Sequence, residues 1–99
     1  MNSFNSIKHG KSGEFSTSFG FRMKEIRLRK GMTLFEVGAF LNVQKSLVRK
    51  LEIGMRNIQI KHLPAYSEAF DISIPDLLDF DKKVSDLINP VHSLSQNIT

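Results

Sequence analysis

The amino-acid sequence predicts an all-α domain of five short helices, and three observations carry that expectation. Apolar residues recur at helical spacing from Phe19 onward. No segment alternates apolar and polar residues at period two, as a half-buried strand would. Thr33-x-x-Glu36 and Ser73-x-x-Asp76 are helix-start signals inside the chain.

The first helix is expected to carry Phe19, Met23 and Ile26 on one face, with Ser18 as its cap and Gly31 as its stop. The capping box of Thr33 and Glu36 starts a second helix at Leu34, which Asn42 closes with Val37 and Leu41 facing inward. A third covers about Lys45 to Ile53, burying Val48 and Leu51 and stopping at Gly54. A fourth runs from about Leu63 to Phe70, with Pro64 in the first turn, where a missing backbone donor costs nothing. Ser73, Pro75 and Asp76 begin a fifth that carries Leu77 and Leu78. Residues 81–89, with Val84, Leu87 and Ile88, form a helical extension and a candidate dimer contact. Residues 1–18 and 90–99 lack a sustained period and are expected to be flexible tails around a domain spanning 19–80.

A chain of 99 residues supports one small core. With no cysteine there is no disulfide, thiolate metal site or cysteine nucleophile. No apolar run approaches the roughly 18 residues of a membrane span, so a cytoplasmic protein is expected. His9, His62 and His92 lie apart, without acidic ligands at metal spacing, and Asp76, Asp79 and Asp81 lack the glycine-centred loop of a calcium site. No phosphate-cradling glycine loop and no Ser/His pairing stands out. The expectation is a protein with no cofactor, no metal and no enzymatic activity.

Charge is distributed unevenly. Residues 22–61 hold ten Lys and Arg against three Glu, whereas residues 62–99 hold two Lys against one Glu and five Asp. A basic middle and an acidic end fit a protein with one face turned to a polyanion. The second and third helices, joined by a turn near Asn42-Val43, have the arrangement of a helix-turn-helix over about 34–53. Val37, Leu41, Val43, Val48 and Leu51 supply its core, and Gly38 removes a side chain where the two helices come closest. The third helix turns Lys45, Ser46, Arg49 and Lys50 outward, donors able to reach base edges or phosphates in double-stranded DNA.

The sequence resembles the XRE, Cro and lambdoid phage repressor-type helix-turn-helix domains over about residues 19–80. The resemblance rests on "FGFRMKEIRLRKGMT", "TLFEVGAFLNVQKSLVRKLEIG" and "MRNIQIKHLPAYSEAFDISIPDLL" in that order. It implies an architectural ion pair between Arg27 and Glu52. It implies base reading by Lys45, Ser46 and Lys50, and backbone contacts from Gln44, Arg49, Arg56, Asn57 and Lys61. "RN" followed by two aliphatic residues also resembles the small controllers of restriction–modification genes.

Four positions depart from the family pattern. Leu34 stands where a phosphate-binding Gln is usual, Gly38 in place of Ala, Asn42 in place of Gly, and Gln44 in place of a capping Ser or Thr. Leu34 cannot donate a side-chain hydrogen bond, a loss on the order of 1 kcal/mol. Leu34 and Phe35 then have three possible roles: contact with a thymine methyl, contact with a protein partner, or packing on the first helix. The implied function is a transcriptional regulator, a repressor binding a palindromic operator as a homodimer. The rival is an antitoxin or adaptor using Leu34, Phe35 or the tails. Lys8 and Lys11 could make the N-terminal tail an arm along a groove.

Overall fold

The computed structural model describes residues 10–88, and these form an all-helical domain. In chain order the helices are α1 (Gly10–Arg29), α2 (Leu34–Leu41), α3 (Lys45–Glu52), α4 (His62–Phe70), α5 (Ile74–Leu78) and α6 (Val84–Leu87). Helix α3 packs on both α1 and α2, α4 packs on α2 and α5, and α1 carries α5 and α6 along its length. The core lies between them. Phe19, Met23, Ile26, Val37, Val48, Tyr66, Phe70 and Leu77 are its fully buried large side chains. Phe19 meets Tyr66 edge-on at 5.8 Å between ring centroids, and Tyr66 lies 5.5 Å from Phe70.

Caps set the helix boundaries. Glu36 N donates to Thr33 Oγ1 at 3.0 Å while Thr33 N donates to Glu36 Oε1 at 2.8 Å, closing the capping box that starts α2. Ser73 caps α5 by accepting from Asp76 N at 3.3 Å. At the other ends, α1 to α4 are each followed by a residue at positive φ: Gly31, Asn42, Gly54 and Asp71. In all four, the residue beyond donates back to a carbonyl five positions earlier. These bonds are Met32 to Arg27, Val43 to Gly38, Met55 to Lys50 and Ile72 to Ser67, at 2.9–3.2 Å. That Schellman closure turns the chain within two residues, so successive helices can cross at steep angles.

Two glycines set the helix spacing. A Cβ on Gly20 would fall on the carbonyl oxygens of Leu51 and Glu52, so α1 lies against the backbone of the last turn of α3. A Cβ on Gly38 would lie 2.6 Å from Val43 O and 3.5 Å from Val48 Cγ2. The close approach at Gly38 is therefore to the turn itself as much as to α3.

Two expectations are corrected. Helix α1 does not begin at Ser18; it starts at Gly10 and is 20 residues long, so Ser18 is an interior residue. Tertiary contacts overcome the weak helix propensity of its first turns. Phe15 stacks on Phe19 at 5.8 Å and meets Phe80 at the same distance, and buried Ser16 donates to Asn57 Oδ1. Val84, expected to await a partner, is instead part of the core at 4% exposure, with Leu87 and Ile88 packed against it. The tail reading of residues 1–9 and 90–99, the Lys8 arm included, lies outside the described residues.

Helix α4 opens on a buried histidine. Burial, and then the neighbouring Lys61 charge, hold His62 below its ordinary value of 6.5. Among the described residues its Nδ1 has no hydrogen-bond partner, and a cation at a helix N-terminus opposes the dipole. The native state therefore takes up this proton later than the unfolded chain as pH falls. Stability should be full above about pH 6.5 and decline below it. Urea denaturation of wild type and His62→Gln checks this: the variant should lose most of the decline between about pH 7.5 and 5.5. Parallel curves would show that His62 titrates as in the unfolded chain.

Candidate nucleic-acid interface

Helix α3 divides sharply. Val48, Leu51 and Glu52 are buried, whereas Lys45, Ser46, Arg49 and Lys50 are exposed, with Leu47 half-buried between the two sets. Ser46 and Lys50 stand one turn apart on the outer surface, as Lys45 and Arg49 do. Gln44 sits at the N-cap in extended conformation and makes no side-chain capping bond. Its amide is thus not consumed in holding the helix.

The buried edge is tied to α1 by charge. Arg27 Nε donates to Glu52 Oε2 at 2.7 Å and Nη2 to Oε1 at 3.1 Å, a two-pronged pair with both side chains largely withdrawn from water. Arg27 Nη1 also donates to Met32 O at 3.0 Å, in the turn between α1 and α2. One guanidinium thus joins the end of α1, the approach to α2 and the end of α3. Tyr66 lies against this pair with its hydroxyl buried and lacking a partner; burial, then the Glu52 charge, push its phenol above the ordinary value.

The structure gathers several of the residues implied for DNA contact and separates others. Gln44, Ser46, Lys50 and Arg56 line one open cleft of about 240 Å³, with Leu47 as its apolar wall. Lys45 and Arg49 are exposed on the same helix but do not line that cleft. Asn57 is exposed, and its carbonyl oxygen accepts from Ser16 Oγ, leaving the amide nitrogen for other use. Lys61 is exposed at the N-cap of α4.

At the start of α2 the two apolar residues behave differently. Leu34 is half-buried and packs against the core. Phe35 is 71% exposed and Phe40 46%, so packing of Phe35 on the first helix is ruled out.

Sequence reasoning missed Arg22. It is 7% exposed and donates from Nε to Leu77 O at 3.0 Å, from Nη2 to Asp76 O at 2.9 Å and from Nη1 to Lys82 O at 2.7 Å. Its guanidinium carbon also lies 5.9 Å from the Phe80 ring centroid. Arg22 therefore caps the end of α5 and holds the link to α6 against α1. The signal was present: Arg22 falls between Phe19 and Ile26 at helical spacing, on the buried stripe. With Arg27 it withdraws two cations from the basic stretch counted in the sequence, so less of that charge faces a polyanion.

The helix-turn-helix family model matches residues 23–77. The chain belongs to the XRE-type helix-turn-helix family. Its members are DNA-binding transcriptional regulators, and α2 and α3 are this chain's helix-turn-helix. Among solved structures it is similar to the restriction-modification controller protein C.AhdI from Aeromonas hydrophila. That likeness has 27% identity and a TM-score of 0.59, over 63% of this chain and 94% of the controller. It also shares its fold with the clp gene regulator ClgR from Corynebacterium glutamicum, at 21% identity and a TM-score of 0.64, covering 85% of this chain and 89% of ClgR. A second ClgR structure gives 24% identity and a TM-score of 0.62, over 67% and 86%. No curated protein matches. Among the described residues no helix is long and apolar enough to cross a membrane.

Breaking the buried pair strands a charge. Arg27→Ala and Glu52→Ala should each cost about 3–5 kcal/mol in urea denaturation. The double variant should cost clearly less than their sum. Additive losses would show that the two groups do not act as a pair.

Proposed function

We propose that this protein is a sequence-specific regulator that represses transcription by binding a two-fold DNA operator as a homodimer, with α3 in the major groove. The observation that carries the reading is the outer surface of α3. Lys45, Ser46, Arg49 and Lys50 are all exposed there, and Gln44 and Arg56 flank Ser46 and Lys50 in one cleft. None of these six has an ion-pair partner among the described residues. Donors without acceptors on a rigid helix fit base edges and phosphates. In this reading Lys45, Ser46 and Lys50 contact bases, and Gln44, Arg49, Arg56, Asn57 and Lys61 contact the backbone.

A helix of eight residues covers only a few base pairs, which favours two copies on half-sites about one DNA turn apart. With Val84 in the core, the exposed large apolar groups at the C-terminal end of the described residues are Leu78 and Phe80, 37% and 40% exposed. The likeness to C.AhdI makes control of a restriction–modification system a narrower form of the same proposal. A second reading, an antitoxin or adaptor that binds another protein, is favoured by the exposure of Phe35 and Phe40.

Fluorescence anisotropy with a selected duplex separates them. Affinity should fall by about 10³–10⁵ between 50 and 200 mM salt. Lys45→Ala and Lys50→Ala should each weaken binding by about 10-fold or more, and Phe35→Ser should leave it nearly unchanged. Lysine variants that bind with unchanged affinity and salt slope would contradict the regulator reading. A protein that co-purifies with the wild-type chain and with the lysine variants but is lost in Phe35→Ser would favour the second.

A further inference from the structure

The cleft beside α3 has a composition that polar recognition does not account for. Four of its five lining residues, Gln44, Ser46, Lys50 and Arg56, offer hydrogen bonds or charge. The fifth is Leu47. It packs its inner side on the core, as Val43 and Ile58 do, yet it stays partly exposed and forms a wall of the cleft.

Leu47 is preceded by Ser46 and stands three positions before Lys50, so it shares the surface of α3 with the two residues assigned to bases inside that cleft. Whatever base edge Ser46 and Lys50 reach, Leu47 meets the same edge or the next one. Base edges in the major groove present acceptors, donors and, in unmodified DNA, a single apolar group: the C5-methyl of thymine. Of the groups on base edges, that methyl is the one against which an open apolar wall gains most by excluding water. Phe35 is a weaker candidate for such a contact. It lies at the start of α2 and does not line this cleft.

We propose that Leu47 is a specificity-determining residue that reads a thymine methyl in each half-site, with the cleft lined by Gln44, Ser46, Lys50 and Arg56 receiving the thymine edge. The inference rests on the DNA-binding reading and adds to it one base and the side chain that selects it. The stem of Leu47 is fixed by the core, so the contact carries little entropic penalty on binding. The polar walls orient the base, and Leu47 distinguishes thymine from any pyrimidine without the methyl.

The test uses the full chain and a duplex selected from a random pool. Each thymine of the selected half-site is replaced singly by deoxyuridine, which removes the methyl and nothing else. One thymine per half-site should be sensitive, with affinity falling about threefold to fivefold for one buried methyl. Replacing both symmetric thymines should lower it by about tenfold or more. In Leu47→Ala the penalty for deoxyuridine at that position should vanish. Placing 5-methylcytosine there should restore part of the affinity that plain cytosine loses. Half-sites in which every thymine tolerates deoxyuridine, or a Leu47→Ala protein with an undiminished penalty, would overturn the proposal. The scan with wild-type protein decides this even where Leu47→Ala folds poorly. A pool from which no duplex is enriched would instead contradict the DNA-binding reading, and this inference with it.

Discussion

The Arg27–Glu52 pair is the constraint on which the geometry of α3 depends. A helix of eight residues buries too little surface to fix its own direction, and its buried apolar residues are Val48 and Leu51, with Leu47 partly buried at their edge. Two parallel N–H···O bonds from a planar guanidinium define both distance and orientation, which apolar contact alone leaves loose. The absence of a side chain at Gly20 brings the backbone of α3 within reach of α1, and the third Arg27 bond reaches the turn at Met32. Position, tilt and rotation of the outward residues follow from these contacts.

Withdrawal of charge from water on the inner side has a counterpart on the outer side. Arg22 and Arg27 satisfy their donors with carbonyls and a carboxylate inside the domain, and exposed Arg29 pairs with Glu25 at 3.2 Å. Among the described residues, the cations of α3 and the following loop make no such bonds. The same residue type therefore does two jobs along one basic stretch, and the location of acceptors decides which. The N-terminal turns of α1 add a further support: Ser16 holds Asn57, and Thr17 lies against Gly54, where a Cβ would come within 3.0 Å of its hydroxyl. The loop that carries Arg56 and Asn57 is thus braced from behind by α1.

Most of the fold was legible because local signals and burial agree. The Thr33–Glu36 box, the αL turn at Asn42 and the Ser73 cap are each set by chemistry within four residues, and their helix ends lie where the sequence places them. What was not legible came from long-range contacts. The early start of α1 depends on Asn57, Gly54 and Phe80, all far away in sequence, with Asn57 41 positions from Ser16. Phe15 and Phe19 form an i, i+4 pair that could have hinted at it. The apolar pair at Leu34-Phe35 likewise needed the tertiary packing: adjacent residues on a helix face different ways, so one enters the core and the other meets solvent. For the candidate interface, exposure of the donors on α3 followed from periodicity. The apolar wall at Leu47 did not, because its half-burial depends on how α3 packs on the core.

The central claim is that α3, held by α1, presents its outer surface to DNA. Backbone amide NMR of the labelled protein, titrated with a selected duplex, tests it most directly. The account predicts that the largest shift changes fall on Gln44 to Lys50 and on Arg56 and Asn57, with residues 79–88 nearly unmoved at the DNA contact. Changes centred on Phe35 and Phe40, with the amides of α3 unaffected, would contradict it.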